Sequence, residues 1–458
     1  MPTPPVRRPL IPAEAKKKAG LDFRAYLNLK IGIHRELLNH IDPEKVATQR
    51  DDHTRRQVYA VIQQLVSNLK TPAADREPAP QELTAPEKER LALDILGEVF
   101  RLGPLEPLLQ DPTISDILVN GANEVYIERA GVLEESGVIF KDNAHLMGII
   151  DQIVSAIGRR VDESSPMVDA RLADGSRVHV VIPPAAVDGP HLSIRRFGHI
   201  PITDRDLLAT QTLTQPMLEL LLVAVKARLN IVVSGGTGAG KTTLLNVLSG
   251  YISEKERIVT IEDSAELQLK QRHVVRLECR PANAEGKGAI LQRQLVINSL
   301  RMRPNRIIVG EVRSEEALDM LQAMNTGHDG SMTTVHANSP RDAIARLETM
   351  VMMGNVNLPE KAIRRQIASA ITLVVQVARF NDGSRRVTHI SEITGMEVDI
   401  VSMQDVFLFE KQGLSPEGRV LGTFTATGIR PRFEEKLNAA GLSLPANFFE
   451  PSVRYRRG

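Results

Sequence analysis

The sequence predicts an α/β protein whose main domain contains a mostly parallel β-sheet flanked by helices. The first observation is a series of short apolar runs separated by helical patterns, an order that is typical of a parallel sheet. The runs are residues 231–233, 257–261, 273–277, 307–309 and 331–335. The second observation is a Gly-rich loop that joins the first run to a helix. Upstream of residue 200, strands and helices mix without this order, which predicts a smaller α+β domain.

A chain of 458 residues exceeds one ordinary domain. The patterns along it divide it into six predicted segments. A proline-rich stretch separates two helices with periodic apolar residues from the rest of the chain, and it is the clearest domain boundary. The segments are a helical extension at 1–70, a linker at 71–86, the α+β domain at 87–200, an interdomain linker at 201–212, the sheet domain at 213–412 and a tail of turns with one short helix at 413–458.

Composition limits the class of protein. Apolar residues make up 42% and charged residues 25%, as in soluble globular domains, and the net charge of +1 gives no global attraction to nucleic acid. The single cysteine, Cys279, excludes a disulfide framework and a multi-cysteine zinc module. The first 18 residues lack the apolar core of a secretion signal, and no apolar run is long enough to span a bilayer. We therefore expect a cytoplasmic protein.

The loop that follows residues 231–233 matches the phosphate-binding pattern G-x-x-x-x-G-K-[ST]. Its glycines let backbone N–H groups surround an anion, and the dipole of the following helix favours negative charge. Lys241 is expected to reach the β- and γ-phosphates of a nucleotide, and the Thr242 hydroxyl is expected to bind Mg²⁺. The predicted nucleotide-binding residues of the loop are Gly235, Gly236, Thr237, Gly238, Ala239, Gly240, Lys241, Thr242 and Thr243.

Two acidic residues follow other strands of the sheet domain. Glu311 comes after the strand at 307–309, where a P-loop enzyme keeps its second acidic residue, and we expect it to hold a metal-bound water. Glu262 follows the strand at 257–261 and suits a base that orients the attacking water. Asp263 or Ser264 could also cap a helix that starts there, and the two interpretations are compatible.

Histidines and arginines provide further candidates. His328 and His336 flank the strand at 331–335, which suggests a sensing role near the γ-phosphate. Metal binding is disfavoured, because no third ligand is spaced with them. The α+β domain carries arginines in strand and turn settings, namely Arg171, Arg177, Arg195 and Arg196. These arginines either form a solvated face or neutralise nucleotide phosphates.

Together these motifs resemble the secretion ATPases of type II and type IV systems. The resemblance rests on the phosphate loop, the acidic box at 260–266, the strand at 308–313 and the histidine box at 327–338, and it extends over residues from about 90 to 410. It implies a RecA-like P-loop NTPase core, preceded by a small PAS-like α+β N-domain and an N-terminal helical extension. It also implies that the chain forms a homo-hexamer and hydrolyses ATP with Mg²⁺.

The resemblance assigns roles to single residues. Lys241 and Thr242 would bind phosphate and Mg²⁺. Glu262 would activate water, and Glu311 would support the metal. The implied nucleotide sensors are His328 and His336. The arginines implied to reach the phosphates from the N-domain are Arg177 and Arg195, and further candidates near a subunit interface are Arg301, Arg303 and Arg313.

Within this family the chain is most similar to the CpaF-type ATPases of tight-adherence (Tad/Flp) pili. The N-terminal extension and the sequence at 34–38 support this choice, and the four-cysteine zinc module of other members is missing from the sequence. The resemblance implies a motor that powers pilin extraction and pilus assembly. Such a motor would work on platform proteins at the cytoplasmic face of the inner membrane, with peripheral membrane association through those partners.

Three alternatives remain open. The ATPases of type IV secretion systems, which serve conjugation or effector export, share the two-domain core and are the runner-up. A RecA-like nucleic-acid motor would need basic patches interleaved with aromatics, whereas only 3% of residues are aromatic, so no stable nucleic-acid binding is expected. A scaffold that binds nucleotide but barely hydrolyses it is disfavoured by the presence of Glu262 and Glu311.

Overall fold

A computed structural model describes residues 29–30, 32–33, 36–37, 40–41, 52–68 and 83–451, apart from gaps at 101, 130, 141, 197–201, 281, 283–286 and 355–357. Residues 71–82 of the predicted linker lie outside the described residues. Residues 1–28 of the predicted extension lie outside them as well. The chain forms two compact units, Met1–His199 and Ile200–Gly458. None of the described helices is long and apolar enough to cross a membrane.

The first unit begins with helices that pack through apolar residues at helical spacing. The long ones are α1 (Asp52–Ser67), which corresponds to the second of the two helices predicted in the extension, and α2 (Ala85–Phe100). They share one buried cluster of Ile33, Leu37, Val58, Ile62, Val66, Leu91, Ala92, Ile95 and Leu96. At the start of α2, the backbone N–H and the hydroxyl of Thr84 donate to Glu87 at 2.8 and 2.7 Å. By its packing α2 belongs to this cluster, although the predicted boundary assigned it to the α+β domain.

The rest of the first unit is a six-stranded antiparallel sheet in the order β3-β2-β1-β6-β5-β4. The strands are β1 (Ile114–Asn120), β2 (Val125–Arg129), β3 (Val132–Glu135), β4 (Met167–Arg171), β5 (Arg177–Val181) and β6 (His191–Arg195). Its helical elements are a 3-10 turn (Gly103–Leu105), α3 (Glu106–Gln110) and α4 (Asn143–Ser155). Apolar residues of the strands and of α4 form one core, so one face of the sheet is buried, as expected for the predicted α+β architecture.

The second unit is built on a nine-stranded sheet in the order β15-β14-β13-β12-β7-β11-β10-β8-β9. Strands β12, β7, β11, β10, β8 and β9 run parallel, and β13, β14 and β15 add an antiparallel meander. The strands are β7 (Ile231–Gly235), β8 (Ile258–Glu262), β9 (Val274–Glu278), β10 (Arg306–Val309), β11 (Met332–Val335), β12 (Leu373–Arg379), β13 (Arg385–Glu397), β14 (Ile400–Leu414) and β15 (Val420–Ala426). The predicted α/β class with a mostly parallel central sheet is confirmed.

Helices cover both faces of this sheet. They are α5 (Asp204–Ala209), α6 (Gln215–Lys226), α7 (Lys241–Ser249), α8 (Gln292–Ser299), a 3-10 turn (Leu300–Met302), α9 (Glu316–Asn325), α10 (Pro340–Met353), α11 (Glu360–Ala370) and α12 (Glu434–Ala439). Along β7, Ile231 and Val233 belong to one apolar core and Val232 to the other. A strand that is buried on both faces needs a continuous apolar run, which is the pattern that predicts β7 from the sequence.

Two predicted segments need correction. The segment 413–458 is more than a tail, because β15 pairs with β14 and the side chains of Phe433, Leu437 and Phe449 are buried in the main core. Threonines and glycines interrupt the apolar pattern of β15, which hides the strand in the sequence. The predicted linker at 201–212 contains the helix α5, whose first turn is capped by Thr203 and Asp206 in a reciprocal capping box.

A buried ion pair holds the edge of the sheet at which the parallel strands begin. The Arg306 guanidinium, which is 1% exposed, donates to Glu256 through Nε at 2.8 Å and Nη2 at 2.9 Å. Burial alone would raise the pKa of Glu256, but the hydrogen bonds and the charge of Arg306 outweigh burial and hold that pKa below its ordinary value. The pair therefore stabilises the fold at neutral pH, and this contribution is lost as the pH falls through the lowered pKa.

We expect Arg306→Met to reduce the free energy of unfolding by about 3 kcal/mol, because it removes both short hydrogen bonds to the Glu256 carboxylate and leaves only Arg228, at 3.5 Å, beside it. Urea unfolding at pH 7 measures this loss. Arg430→Met, at an exposed arginine of the same unit, is the matched control and should change stability by less than about 0.5 kcal/mol. An equal effect of the two variants would contradict the importance of the buried pair.

Candidate active site

The parallel strands bring four loops together at one edge of the second sheet. In register, Val335 of β11 lies beside Ser234 of β7, and Val309 of β10 lies beside Ile261 of β8. Because parallel strands end at the same edge, the residues that follow β7, β8, β10 and β11 converge there. The candidate active site is therefore the carboxyl edge of this sheet.

The phosphate loop has the backbone that its glycines permit. Gly238 and Gly240 have φ angles of 67° and 97°, in the left-handed region that favours glycine, and α7 begins directly afterwards at Lys241. The Lys241 ammonium donates to the Gly236 carbonyl at 3.0 Å and lies 3.1 Å from Nε2 of His336. The side chain is therefore held over the loop, with its charge at the N-terminus of α7.

A chain of charged groups continues from the lysine. Nε2 of His336 lies 2.9 Å from Oε1 of Glu311, whose Oε2 accepts from Arg313 at 3.0 Å. Arg313 also donates to Asp263 at 3.1 Å, so it joins the loops that follow β10 and β8. Burial, reinforced by the positive charge of Lys241, lowers the pKa of His336 although Glu311 opposes the shift. A neutral imidazole can use Nε2 either to accept from Lys241 or to donate to Glu311, so the histidine couples the two.

Glu262 is the most buried carboxylate of the site, with an exposed fraction of 3%. Its Oε1 accepts from the backbone N–H groups of Glu266 and Leu267 at 2.8 and 2.9 Å, whereas Oε2 has no hydrogen-bond partner among the described residues. Burial raises the pKa of Glu262 above its ordinary value, and the two backbone donors only partly offset this. No helix follows at 263–273, so the alternative in which Asp263 or Ser264 caps a helix is wrong.

The residue beside Glu262 has to be small. A Cβ on Gly310 would lie 2.9 Å from Cγ of Glu262, closer than such atoms approach in proteins. Glycine at this position therefore fixes where the carboxylate lies. The sequence shows the glycine before Glu311, but the contact that requires it appears only when β8 and β10 are paired.

A cavity of about 670 Å³ opens beside the phosphate loop. Gly236, Thr237, Arg313 and His336 line one side of it, and residues of α10 line the other. A volume of this size is ordinary for a small-molecule site.

The structure brings Lys241, Glu262, Glu311, His336 and Arg313 to this edge, and other predicted residues lie elsewhere. His328 precedes β11, at the opposite end of the strand from His336, and its Nδ1 lies 3.3 Å from the Ala323 carbonyl. The structure therefore does not bring His328 to the phosphate loop of its own chain. The other residues placed away from this edge are Arg301 and Arg303, which precede β10, and Arg177 and Arg195, which belong to the first unit.

Two arginines at the site are missing from the sequence-based prediction. Arg385 donates from Nε to the Gly238 carbonyl at 3.0 Å, and Arg379 lies opposite Arg385 across the hairpin of β12 and β13. No motif marks them. Only the pairing of β12 with β7 places this hairpin beside the loop.

The single cysteine lies behind Glu262. The Cys279 backbone N–H donates to the Glu262 carbonyl oxygen at 3.0 Å. Burial, helped by the charge of Asp263 and other nearby carboxylates, raises the pKa of the Cys279 thiol to about 11. The thiol is therefore protonated at neutral pH and is a poor nucleophile.

The residues at this edge fit a nucleotide with Mg²⁺. The glycine loop leaves room for an anion, Lys241 and the N-terminus of α7 supply positive charge, and Thr242 stands where a metal-binding hydroxyl is needed. The unpaired Oε2 of Glu262 offers a buried acceptor for a water molecule. The described residues contain no cluster of three or more histidine, cysteine or acidic side chains that would bind a metal by themselves.

A phosphate loop after the central strand of a parallel sheet, with two acidic residues at the same edge, defines a P-loop ATPase. The chain belongs to the type II/IV secretion system protein family, whose model matches residues 99–413. The predicted enzyme class, an ATP hydrolase with a RecA-like core, is confirmed at the level of this family. Residues 1–98, which include most of the N-terminal helical cluster, precede the matched region.

Two relatives of the chain are described as proteins of transfer or secretion systems. A putative conjugal transfer protein of Mycobacterium tuberculosis is 40% identical over 306 residues, which cover 66% of this chain and 86% of the relative. The type IV secretion system protein VirB11 of Brucella suis is 33% identical over 63% of this chain and 89% of its own length. The crystal structure of the Brucella suis VirB11 ATPase in complex with sulphate matches with 31% identity and a TM-score of 0.34, and covers 64% of this chain and 97% of that one.

We expect Glu262→Gln to lower ATP turnover about 100-fold or more and to leave nucleotide affinity unchanged, because the amide cannot accept a proton from water. Because burial raises the pKa of Glu262, its ionised form is lost at a higher pH than that of an ordinary glutamate, and wild-type turnover should fall on that acid side. The pH profile of turnover measures both effects. Glu266→Gln, which keeps the backbone donor to Glu262, is the control. A Glu262→Gln variant with normal turnover would exclude this residue as the base.

Proposed function

We propose that the chain is a hexameric motor that uses ATP hydrolysis to power pilin extraction and Tad/Flp pilus assembly at the cytoplasmic face of the inner membrane. Its partners would be platform proteins of that membrane, which hold the motor there peripherally. The N-terminal helical cluster supports this choice, because it precedes the family match and gives the motor an extra surface for partners. The observation that carries the motor function is the convergence of Lys241, Glu311 and Glu262 at one sheet edge.

The side chains at this edge divide the chemistry among them. Lys241 binds phosphate oxygens, since its ammonium is held over the loop at the N-terminus of α7, beside the Gly236 carbonyl and His336. Bound Mg²⁺, held by Thr242 and through water by Glu311, would neutralise charge on the phosphates. Glu262 accepts the proton of the attacking water at Oε2, the oxygen that no described donor occupies. His336 links Lys241 to Glu311, because its Nε2 lies within hydrogen-bond reach of both side chains. A movement of Lys241 would therefore change the contact that Glu311 makes.

The N-domain sheet supports the proposed role of its arginines. Arg171 pairs with Arg177 across β4 and β5, and Arg177 pairs with Arg195 across β5 and β6, so three arginines stand in a row on one face. The row concentrates positive charge on this face, and Asp116 lies opposite Arg195 on β1 at one end of it. We propose that it contacts nucleotide phosphates. Arg196 has a different role, since it donates to the carbonyls of Leu109 and Ile114 at 2.7 and 3.2 Å.

For the double variant Arg177→Gln, Arg195→Gln we expect ATP turnover to fall about 10-fold or more, while the thermal midpoint stays the same or rises, because repulsion within the row is relieved. Turnover assays and thermal unfolding measure the two quantities. Arg160→Gln, at a strongly exposed arginine of the same unit, is the matched control. Unchanged turnover in the double variant would contradict nucleotide binding by the arginine row.

Type IV secretion is the second candidate function. The relatives described as a putative conjugal transfer protein and as VirB11 favour it, since they match 86% and 89% of their own lengths. In this case the same ATPase core would drive transfer of DNA or protein through a secretion channel. The two candidates share the catalytic edge and differ in the machine that the motor serves.

We expect the wild-type protein to hydrolyse ATP as a particle of six times 50.5 kDa. Lys241→Ala should keep that mass and lose turnover by about 100-fold or more, because it removes the cation that stabilises the phosphates. Light scattering after size separation and steady-state turnover measure the two properties. Arg228→Ala, at an arginine near the opposite edge of the same sheet, is the control for turnover. A wild-type monomer without turnover would contradict the proposed ring motor.

The same Lys241→Ala variant separates the two candidate functions in the organism that encodes the chain. If the motor serves Tad/Flp pili, pili disappear from the cell surface when the variant replaces the wild type. Normal pili together with a loss of DNA or protein transfer would overturn the pilus proposal in favour of type IV secretion.

A further inference from the structure

The hairpin that joins β12 to β13 places two arginines against the phosphate loop. Arg379 ends β12, Arg385 begins β13, and the two are cross-strand partners, so their side chains lie on the same face of the hairpin. Opposed like charges are unfavourable in a sheet unless an anion or another partner compensates for them. Both residues belong to the same unit as the loop.

Contacts with the middle of the loop are close. Nη1 of Arg379 lies 3.3 Å from the point where a Cβ would stand on Gly238, and Cδ of Arg385 lies 3.4 Å from the corresponding point on Gly240. Arg385 also donates from Nε to the Gly238 carbonyl at 3.0 Å. A Cβ on Gly238 would be in tight contact with the Arg379 guanidinium, so the loop and the hairpin pack closely together.

The strand order determines which end of a nucleotide the hairpin faces. β12 flanks β7 on one side, and β11, β10 and β8 lie on the other side. His336, Glu311 and Glu262 follow those three strands and mark the end of the site where the terminal phosphate reacts with water. The hairpin lies on the opposite side of the loop from these residues.

We propose that the β12–β13 hairpin is the nucleoside-side wall of the nucleotide site. Arg379 binds the α-phosphate, to which a planar guanidinium can donate two hydrogen bonds. Arg385 is a positioning residue that fixes the Gly238 peptide through its carbonyl. This inference rests on nucleotide binding by the chain and adds ligand contacts at the opposite end from the acidic residues.

The test compares the affinities for ADP and for a non-hydrolysable ATP analogue, measured by titration calorimetry on the full chain with Mg²⁺. Because both ligands carry an α-phosphate, Arg379→Ala should weaken both by the same factor, about 10-fold or more, and leave their ratio unchanged. Arg385→Ala should weaken both as well, and Arg385→Lys should restore part of the loss because a lysine can still donate to the carbonyl. Arg419→Ala, at an exposed arginine before β15, is the matched control and should bind like the wild type.

The outcomes separate this inference from nucleotide binding itself. Unchanged affinities in Arg379→Ala, or a loss confined to the ATP analogue, would overturn the hairpin proposal while the wild type still binds both ligands and Lys241→Ala binds neither. A wild type that binds neither ligand would overturn both. Thermal midpoints within the error of the wild type show that the variants are folded, which the exposed position of Arg379 leads us to expect.

Discussion

The second unit depends on one constraint, namely that neighbouring strands of its central sheet run in the same direction. Five of these strands lie side by side in the order β12-β7-β11-β10-β8. Parallel strands end together, so residues as distant in sequence as Lys241 and Glu311 meet without any contact having to be built between their loops. The antiparallel meander enters from the other side and adds the hairpin. If one strand ran in the opposite direction, the residue that follows it would lie at the other edge of the sheet. The packing of that strand against the core would also change.

Positively and negatively charged groups alternate along the candidate site. A phosphate loop concentrates positive charge, and here the chain from Lys241 through His336 and Glu311 to Arg313 alternates donors and acceptors. Each carboxylate is paired except for one oxygen of Glu262, which the fold buries. Burial of a carboxylate without full pairing costs stability, and active sites accept this cost because a raised pKa suits a base. The Oε2 atom of Glu262 is therefore the acceptor at this edge that the described residues leave without a hydrogen bond.

Much of this arrangement could be predicted from the sequence, because it is encoded locally. The apolar runs predict β7, β8, β10 and β11 to within two residues, and the phosphate loop follows from its motif. Strand direction separates the two histidines: they flank the same strand, and only His336, which follows it, lies at the carboxyl edge of its own chain. The contributions of Gly310 and Arg385 depend on which strands are neighbours in the sheet, and no local pattern carries that information. The sequence also does not predict β15, because polar residues and a glycine interrupt its apolar pattern. Its pairing with β14 becomes visible only in the folded sheet.

The half-buried thiol of Cys279 has a practical consequence for measurements on this protein. Cys279 is the only cysteine of the chain, and its pKa of about 11 leaves almost no thiolate at neutral pH. The wild-type protein should therefore react only slowly with maleimide dyes. Cysteines introduced at Val187 and Val398, whose side chains are 90% and 88% exposed in the first and second unit, would react selectively. A fluorescent pair at these two positions would report the distance between the units through each cycle of turnover, without removal of any native residue from the core.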